Sequence, residues 1–168
     1  MRKLSRGVII VPLSYSLPAG CGTLQLSSHV LTHFESFKQQ KFYSREAGGQ
    51  LFATFNDPSL MGIVEATGPR RTDKRSVFSY KPDRVAENLE IRERFARDLH
   101  FVGDWHTHRQ HAPSPSTQDT DSILESVHLS SHNLVGFVLI IVGQAQFPAG
   151  LHVSFHSKAG SRVCHPQA

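Results

Sequence analysis

The chain has 168 residues, an apolar share of 39% and a formal charge of +4 with histidine neutral. That length suits one domain over residues 1–168 with enough apolar side chain for a packed core. No apolar run nears the roughly 20 residues of a membrane span, and the two distant cysteines, Cys21 and Cys164, make no disulfide framework, so the expectation is a cytoplasmic protein with no membrane partner.

Gly7 to Leu13 is apolar and is expected to form a first strand; Pro12 and the lack of a small-residue cleavage site argue against a signal peptide. Pro18-Ala19-Gly20 reads as a turn, and Thr23 to Leu26 as a short strand. Ser27 or Ser28 can cap a helix whose Val30, Leu31, Phe34 and Phe37 fall on one face and pack into the core. Arg45-Glu46-Ala47-Gly48-Gly49-Gln50 opens a strand over Gln50 to Phe55. The paired glycines permit a bulge or the close approach of another backbone. Glu46 is either a solvated turn residue or a base. Asn56-Asp57-Pro58-Ser59 has a turn composition and leads to a strand from Met61 to Ala66. Glu65 within it is a second candidate base, although the polar face of a strand explains it as well.

Arg70-Arg71-Thr72-Asp73-Lys74-Arg75 is the densest basic run. It reads as a solvated loop or a patch for an acidic partner. No helix-turn-helix or RNA-binding signature accompanies it, so nucleic acid is not an expected partner. Val77 to Tyr80 is a candidate strand. Pro82 begins a helix with Val85, Leu89, Ile91 or Arg92, and Phe95 as its stripe, running to about Asp98.

Phe101-Val102-Gly103 reads as a buried strand ending in the polar tip Asp104-Trp105-His106-Thr107-His108. Side chains at i and i+2 of a strand share a face, so His106 and His108 can hold one ion together. Ser116 follows after seven intervening residues and Asp119 three positions later. Asp119 would return from the loop as a third ligand. Two imidazoles and a carboxylate, with a fourth position left for water, is the ligand set of a catalytic zinc site. Ser116 and Asp119 also read as a plain helix start, with Ser116 as N-cap and Asp119 favoured by the helix dipole. A carboxylate outside the ligand set, such as Glu46, suits the task of taking a proton from water attacking a carbonyl. His111 is a weaker candidate ligand. His100, His128, His132, His152 and His156 have no ligand spacing. A helix with Ile123, Leu124 and Val127 follows Asp119, then a buried strand over Leu134 to Val142 stopped by Gly143, and a last strand over Gln146 to Phe155. Strands mixed with helices give an α/β or α+β class; periodicity leaves the strand order open.

Glu46, His106, His108, Ser116 and Asp119, in that order and spacing, resemble the pattern of the JAMM metalloproteases, the catalytic MPN domains. The resemblance implies a curled mixed sheet flanked by helices, MPN or cytidine-deaminase-like. It implies Zn²⁺ on His106, His108 and Asp119, Glu46 as base and Ser116 as donor to the oxyanion. It also implies a protein substrate with an extended, ubiquitin-like C-terminal tail joined to an amine, with Gly48-Gly49 as a flank for that tail. Many members carry proline after the second histidine, where this chain has Arg109, which points to a looser or substrate-contacting loop. Glu-Ala-Gly-Gly-Gln-Leu-Phe and Gly-Asp-Trp-His-Thr-His look most like bacterial members, some of which accompany anti-phage CBASS operons and remove conjugates from a cyclic-nucleotide synthase. Processing of a ubiquitin-like sulfur carrier and a non-catalytic MPN scaffold are the alternatives. A zinc deaminase would want a Pro-Cys-X-X-Cys segment, which is absent here.

Overall fold

The structure is a computed structural model and describes residues 10–18, 20–129 and 133–168. Its elements in order are β1 (Leu13–Ser16), β2 (Thr23–Leu26), α1 (Ser28–Phe37), β3 (Gly48–Asp57), β4 (Leu60–Ala66), β5 (Lys74–Arg75), β6 (Tyr80–Lys81), α2 (Arg84–Phe95), β7 (His100–Thr107), α3 (Thr117–Leu129), β8 (Gly136–Val142), β9 (Leu151–Ser157) and β10 (Gly160–Val163). Eight strands form one sheet in the order β1-β2-β4-β3-β7-β8-β9-β10, and β5-β6 is a separate two-stranded ribbon. The β2/β4 and β7/β8 pairs are parallel and the rest antiparallel, a mixed curled sheet of the α+β class.

α1 covers one face. Ser27 caps it by accepting the Val30 amide, and Val30, Leu31 and Phe34 bury themselves against Trp105, Val138 and Ile140. α3 covers part of the other face through Ile123 and Val127, which meet Phe137, Leu139 and Ile141. β8 thus feeds both layers and is buried throughout, as its unbroken apolar run requires.

Several boundaries differ from the sequence reading. The first strand lies at Leu13–Ser16 instead of Gly7 to Leu13; Ile10 to Pro12 are outside any strand, and residues 1–9 lie outside the described part. Residues 146–150 turn before β9, because Gly150 N–H returns to the Gln146 carbonyl. β10 follows the Ser157–Gly160 turn and was not expected.

The larger correction is α2. Its stripe of Val85, Leu89 and Phe95 is 72%, 53% and 66% exposed, while Glu87 is 4% exposed. The helix turns Glu87 and Glu90 inward because Arg70 is buried beneath it: Arg70 forks onto Glu90 and lies 3.8 Å from Glu87 and 3.5 Å from Asp73. A buried guanidinium without carboxylates would cost more than exposing three apolar side chains. The basic run is therefore not a uniformly solvated loop.

β7 contains a bulge. Leu51 pairs with Gly103 and Phe52 with Phe101, so Val102 has no opposite residue. Gly103 takes φ 145°, and a Cβ there would stand 1.8 Å from the Val138 carbonyl oxygen. The extra residue shifts the alternation. Val102 and Trp105 both reach the α1 core, and Asp104 and His106 both turn to the α2–α3 face.

Candidate metal centre

On that face a cleft of roughly 1090 Å³ runs between the β5–β6 ribbon and α3. The side chains of Glu46, His106, His108, Ser116 and Asp119 all line it. His106 comes from β7 and His108 from just beyond it, held by its amide on the Val142 carbonyl at 2.9 Å. Asp119 comes from the first turn of α3.

His106 Nε2 and His108 Nε2 are 3.2 Å apart, and they stand 3.1 and 3.3 Å from the two carboxylate oxygens of Asp119. Among the described residues these three side chains form a group close enough to share an ion. Ligands bound to tetrahedral zinc at about 2.0–2.1 Å stand about 3.3–3.4 Å from one another, so the triangle has the right size. Two facing imidazole nitrogens and a carboxylate also make a donor set suited to zinc. His108 Nδ1 is 2.9 Å from the Ser114 carbonyl, which fixes Nε2 as the lone-pair nitrogen. Burial would raise the Asp119 carboxyl; the His106 and His108 imidazoles beside it outweigh burial and hold the group well below the usual carboxylate range. Burial lowers His108, and Asp119 more than offsets this, so the imidazole sits above its ordinary value.

The Ser116 hydroxyl oxygen accepts the Asp119 amide at 3.1 Å, and Asp119 accepts the Ser116 amide at 2.7 Å. This reciprocal cap starts α3 and orients the Asp119 carboxylate in one stroke. The helix-start reading and the ligand reading therefore describe one geometry.

Glu46 is held by its backbone. Its amide donates to the Ser76 carbonyl at 2.8 Å, and its carbonyl accepts Arg75 Nε at 2.6 Å. The carboxylate itself is half-buried and has no hydrogen-bond partner among the described residues. Burial raises it above its ordinary value, with His106 and His108 acting the other way. Glu65 is taken up elsewhere, accepting Arg94 at 2.7 and 2.9 Å, and it does not line the cleft. His111 is exposed and outside the ligand triangle. His132 lies outside the described residues.

The paired glycines do admit close approach, but not of a strand. Gly49 packs on the Thr67 carbonyl, where a Cβ would stand 1.8 Å away, and Gly48 lies under the Tyr80 ring. With β7 on the other side, this stretch has no free edge for a substrate tail. Arg109 does not loosen its loop. It donates to the Phe42 carbonyl at 2.9 Å and lies over the Phe78 ring, and the loop is tied down by Gln144 and Ala145 amides on the Gln110 and His111 carbonyls.

Sequence reasoning missed Asp104. It lines the same cleft from β7, and burial, with Glu87 adding to the effect, pushes its carboxyl up to about 7. The signal was available: Asp104 precedes His106 by two residues, the same spacing that pairs His106 with His108.

Residues 32–155 match the family model of prokaryotic homologs of the JAB domain. The chain is similar to CD-NTase/cGAS isopeptidases of Enterobacter hormaechei (28% identical over 142 residues, covering 80% of this chain and 74% of that protein) and Vibrio cholerae (26% over 128 residues, 74% and 79%). A third, from Escherichia coli, is 24% identical over 122 residues, covering 71% of this chain and 75% of that protein. The fold resembles the solution structure of a Desulfitobacterium hafniense protein with a TM-score of 0.58 at 15% identity, over 82% of this chain and 87% of that one. The matched segment contains the cleft's five candidate residues, and the chain belongs to the prokaryotic JAB-domain family.

Proposed function

We propose that this protein is a zinc-dependent isopeptidase, of one domain, that cleaves the amide between a protein's C-terminal tail and a lysine or peptide amine. The carrying observation is the 3.1–3.3 Å triangle of His106, His108 and Asp119 in a cleft that also holds the Glu46 carboxylate. The relatives named CD-NTase/cGAS isopeptidase support the substrate class: a cyclic-nucleotide synthase conjugated through its tail, in the setting of anti-phage defence in the bacterial cytoplasm. Among the described residues no helix is long and apolar enough to cross a membrane.

His106, His108 and Asp119 would hold the ion. A zinc ion held there would supply the Lewis acidity that activates water near neutral pH. Glu46, free of other partners and raised by burial, takes the proton of the attacking water and returns it to the leaving amine. Ser116 keeps its hydroxyl proton free while its oxygen caps α3, and its O–H donates a hydrogen bond to the carbonyl oxygen as charge develops there. The tail lies extended against the β5–β6 ribbon, since β3 has no open edge.

The test pairs two variants, each assayed for zinc content and for cleavage of a synthase-tail–lysine conjugate. His108→Ala should lose the metal and keep much of its fold. Glu46→Ala should keep the metal and lose cleavage. Near-normal turnover by Glu46→Ala would refute the base role, and full zinc in a His106/His108 double mutant would refute the ligand set.

A further inference from the structure

The bulged β7 turns Asp104 into the cleft beside the two histidines. Asp104 stands one strand repeat before His106, about 6.6 Å along the strand. The charged groups that act on it, Glu87, Arg84 and Arg70, are already paired. Arg84 pairs with Glu87 at 2.8 Å, and Arg70 forks onto Glu90 and reaches Asp73. Its ladder neighbours offer nothing: Leu139 is apolar, and the Gln50 amide is directed at Glu90 and the Glu87 carbonyl. Asp104 itself has no hydrogen bond and no ion pair among the described residues. A half-buried carboxylate left so is unfavourable unless a donor arrives from outside.

The cleft has a direction. Gly48 pairs with His106 and Gln50 with Asp104 in the antiparallel β3–β7 ladder. Glu46 therefore lies at the His108 end, and Asp104 lies the opposite way from the metal triangle. If Glu46 delivers the proton to the leaving amine, the leaving group occupies the end shared with Arg75, Arg109 and Phe78. The acyl side then runs toward Asp104. Charge gives the same direction, because Arg84 and Arg70 near Asp104 are paired with carboxylates, whereas Arg75 and Arg109 have no ion pair among the described residues and repel a cation on the tail.

We propose that Asp104 is the specificity residue of the acyl side, and that it receives a lysine or arginine side chain two residues before the residue whose carbonyl is attacked. This rests on the isopeptidase reading for its orientation. An extended chain advances about 3.3–3.4 Å per residue with alternate side chains on one face, so the second residue back falls about 6.6–6.8 Å away, over Asp104.

The test measures binding of two fluorescent peptides to the zinc-loaded Glu46→Ala protein. Both peptides end in Gly-Gly and differ only in the preceding residue, lysine or norleucine. The lysine peptide should bind about tenfold more tightly, as expected for a charge-assisted hydrogen bond in a partly dry cleft. Adding Asp104→Asn should bring the two within about twofold, and Asp104→Lys should reverse the order when the variable residue is glutamate. Asp104→Asn should melt no lower than its parent, since it removes an unpaired carboxylate. Equal affinities in the parent, or an unchanged preference in Asp104→Asn, overturn the assignment. Cleavage of conjugates by the Glu46-intact protein separates the two ideas. Turnover indifferent to the lysine sinks only the Asp104 role, whereas lysine-selective binding with no amide cleavage sinks the isopeptidase reading, and the acyl-side assignment with it, and leaves Asp104 as a lysine-binding residue of the cleft.

Discussion

The Ser116 hydroxyl oxygen accepts the Asp119 amide, and its proton remains available to a second acceptor. Ser116→Ala should therefore cost about 0.5–2 kcal/mol as a lost cap and lower the catalytic rate about 100–1,000-fold, with zinc retained. A rate within about threefold of wild type, alongside the lower melting temperature, would leave only the structural role. A second titrating residue lies away from the cleft. His156 is buried on β9 between Ser154 and Ser161 at 2.8 and 2.7 Å, and burial, with His152 adding, lowers it to about 4. Unfolding restores a value near 6.5, so below that pH the unfolded chain binds a proton that the fold refuses. Stability is then lost as pH falls from about 6.5 to about 4, by up to about 3 kcal/mol, and is fully present above that window. Denaturant midpoints across this range should fall less steeply for His156→Gln; an identical slope would exclude His156 as the source. At this scale the spacing grouped His106, His108 and Asp119 as candidate ligands, Glu46 and Ser116 joined them through the JAMM resemblance, and the structure brings all five to one cleft. Asp104 shares the two-residue spacing of the histidines, but a carboxylate beside a strand tip reads as solvated until the charges around it are seen to be paired.

The elements show a similar division. α1 was readable because its apolar positions and its burial agree, and the Ser27 cap marks its start. α2 was misleading, since Val85, Leu89 and Phe95 face outward while Glu87 and Glu90 face in. The cause is Arg70, some 14 or more residues upstream, and no window along the helix contains that information. The β7 bulge was equally hidden, although Gly103 was its only local mark. It keeps Trp105 in the core and His106 in the cleft on a strand that would otherwise alternate out of step with Val102. Gly103→Ala meets both a φ of 145° and the Val138 carbonyl, so it should destabilise by at least about 2–3 kcal/mol. It should also weaken zinc binding by disturbing the aim of His106. A variant with wild-type stability and metal content would show that the bulge is not what sets the alternation.

For the molecule as a whole, composition and periodicity were enough for strands mixed with three helices and insufficient for the strand order; the curled mixed sheet was what the JAMM resemblance implied. The parallel β2/β4 and β7/β8 pairs are made between segments far apart in sequence, and they bring β7 to the centre of the sheet. The ligand triangle is closed across two bodies, the sheet carrying the histidines and α3 carrying Asp119. α3 is fastened by a small satellite cluster, with only Ile123 and Val127 buried from the helix itself. Such an element can open locally at far less cost than the sheet. Each opening would carry one ligand away, so the lifetime of the bound ion becomes a clock for helix undocking. Val127 lies in that cluster and away from the cleft. Val127→Ala should therefore speed the stripping of zinc by a chelator roughly tenfold and quicken amide hydrogen exchange in α3. Exchange in β7 and β8 should stay at the wild-type rate. Unchanged stripping alongside faster α3 exchange would mean that Asp119 stays on the ion while the rest of its helix frays.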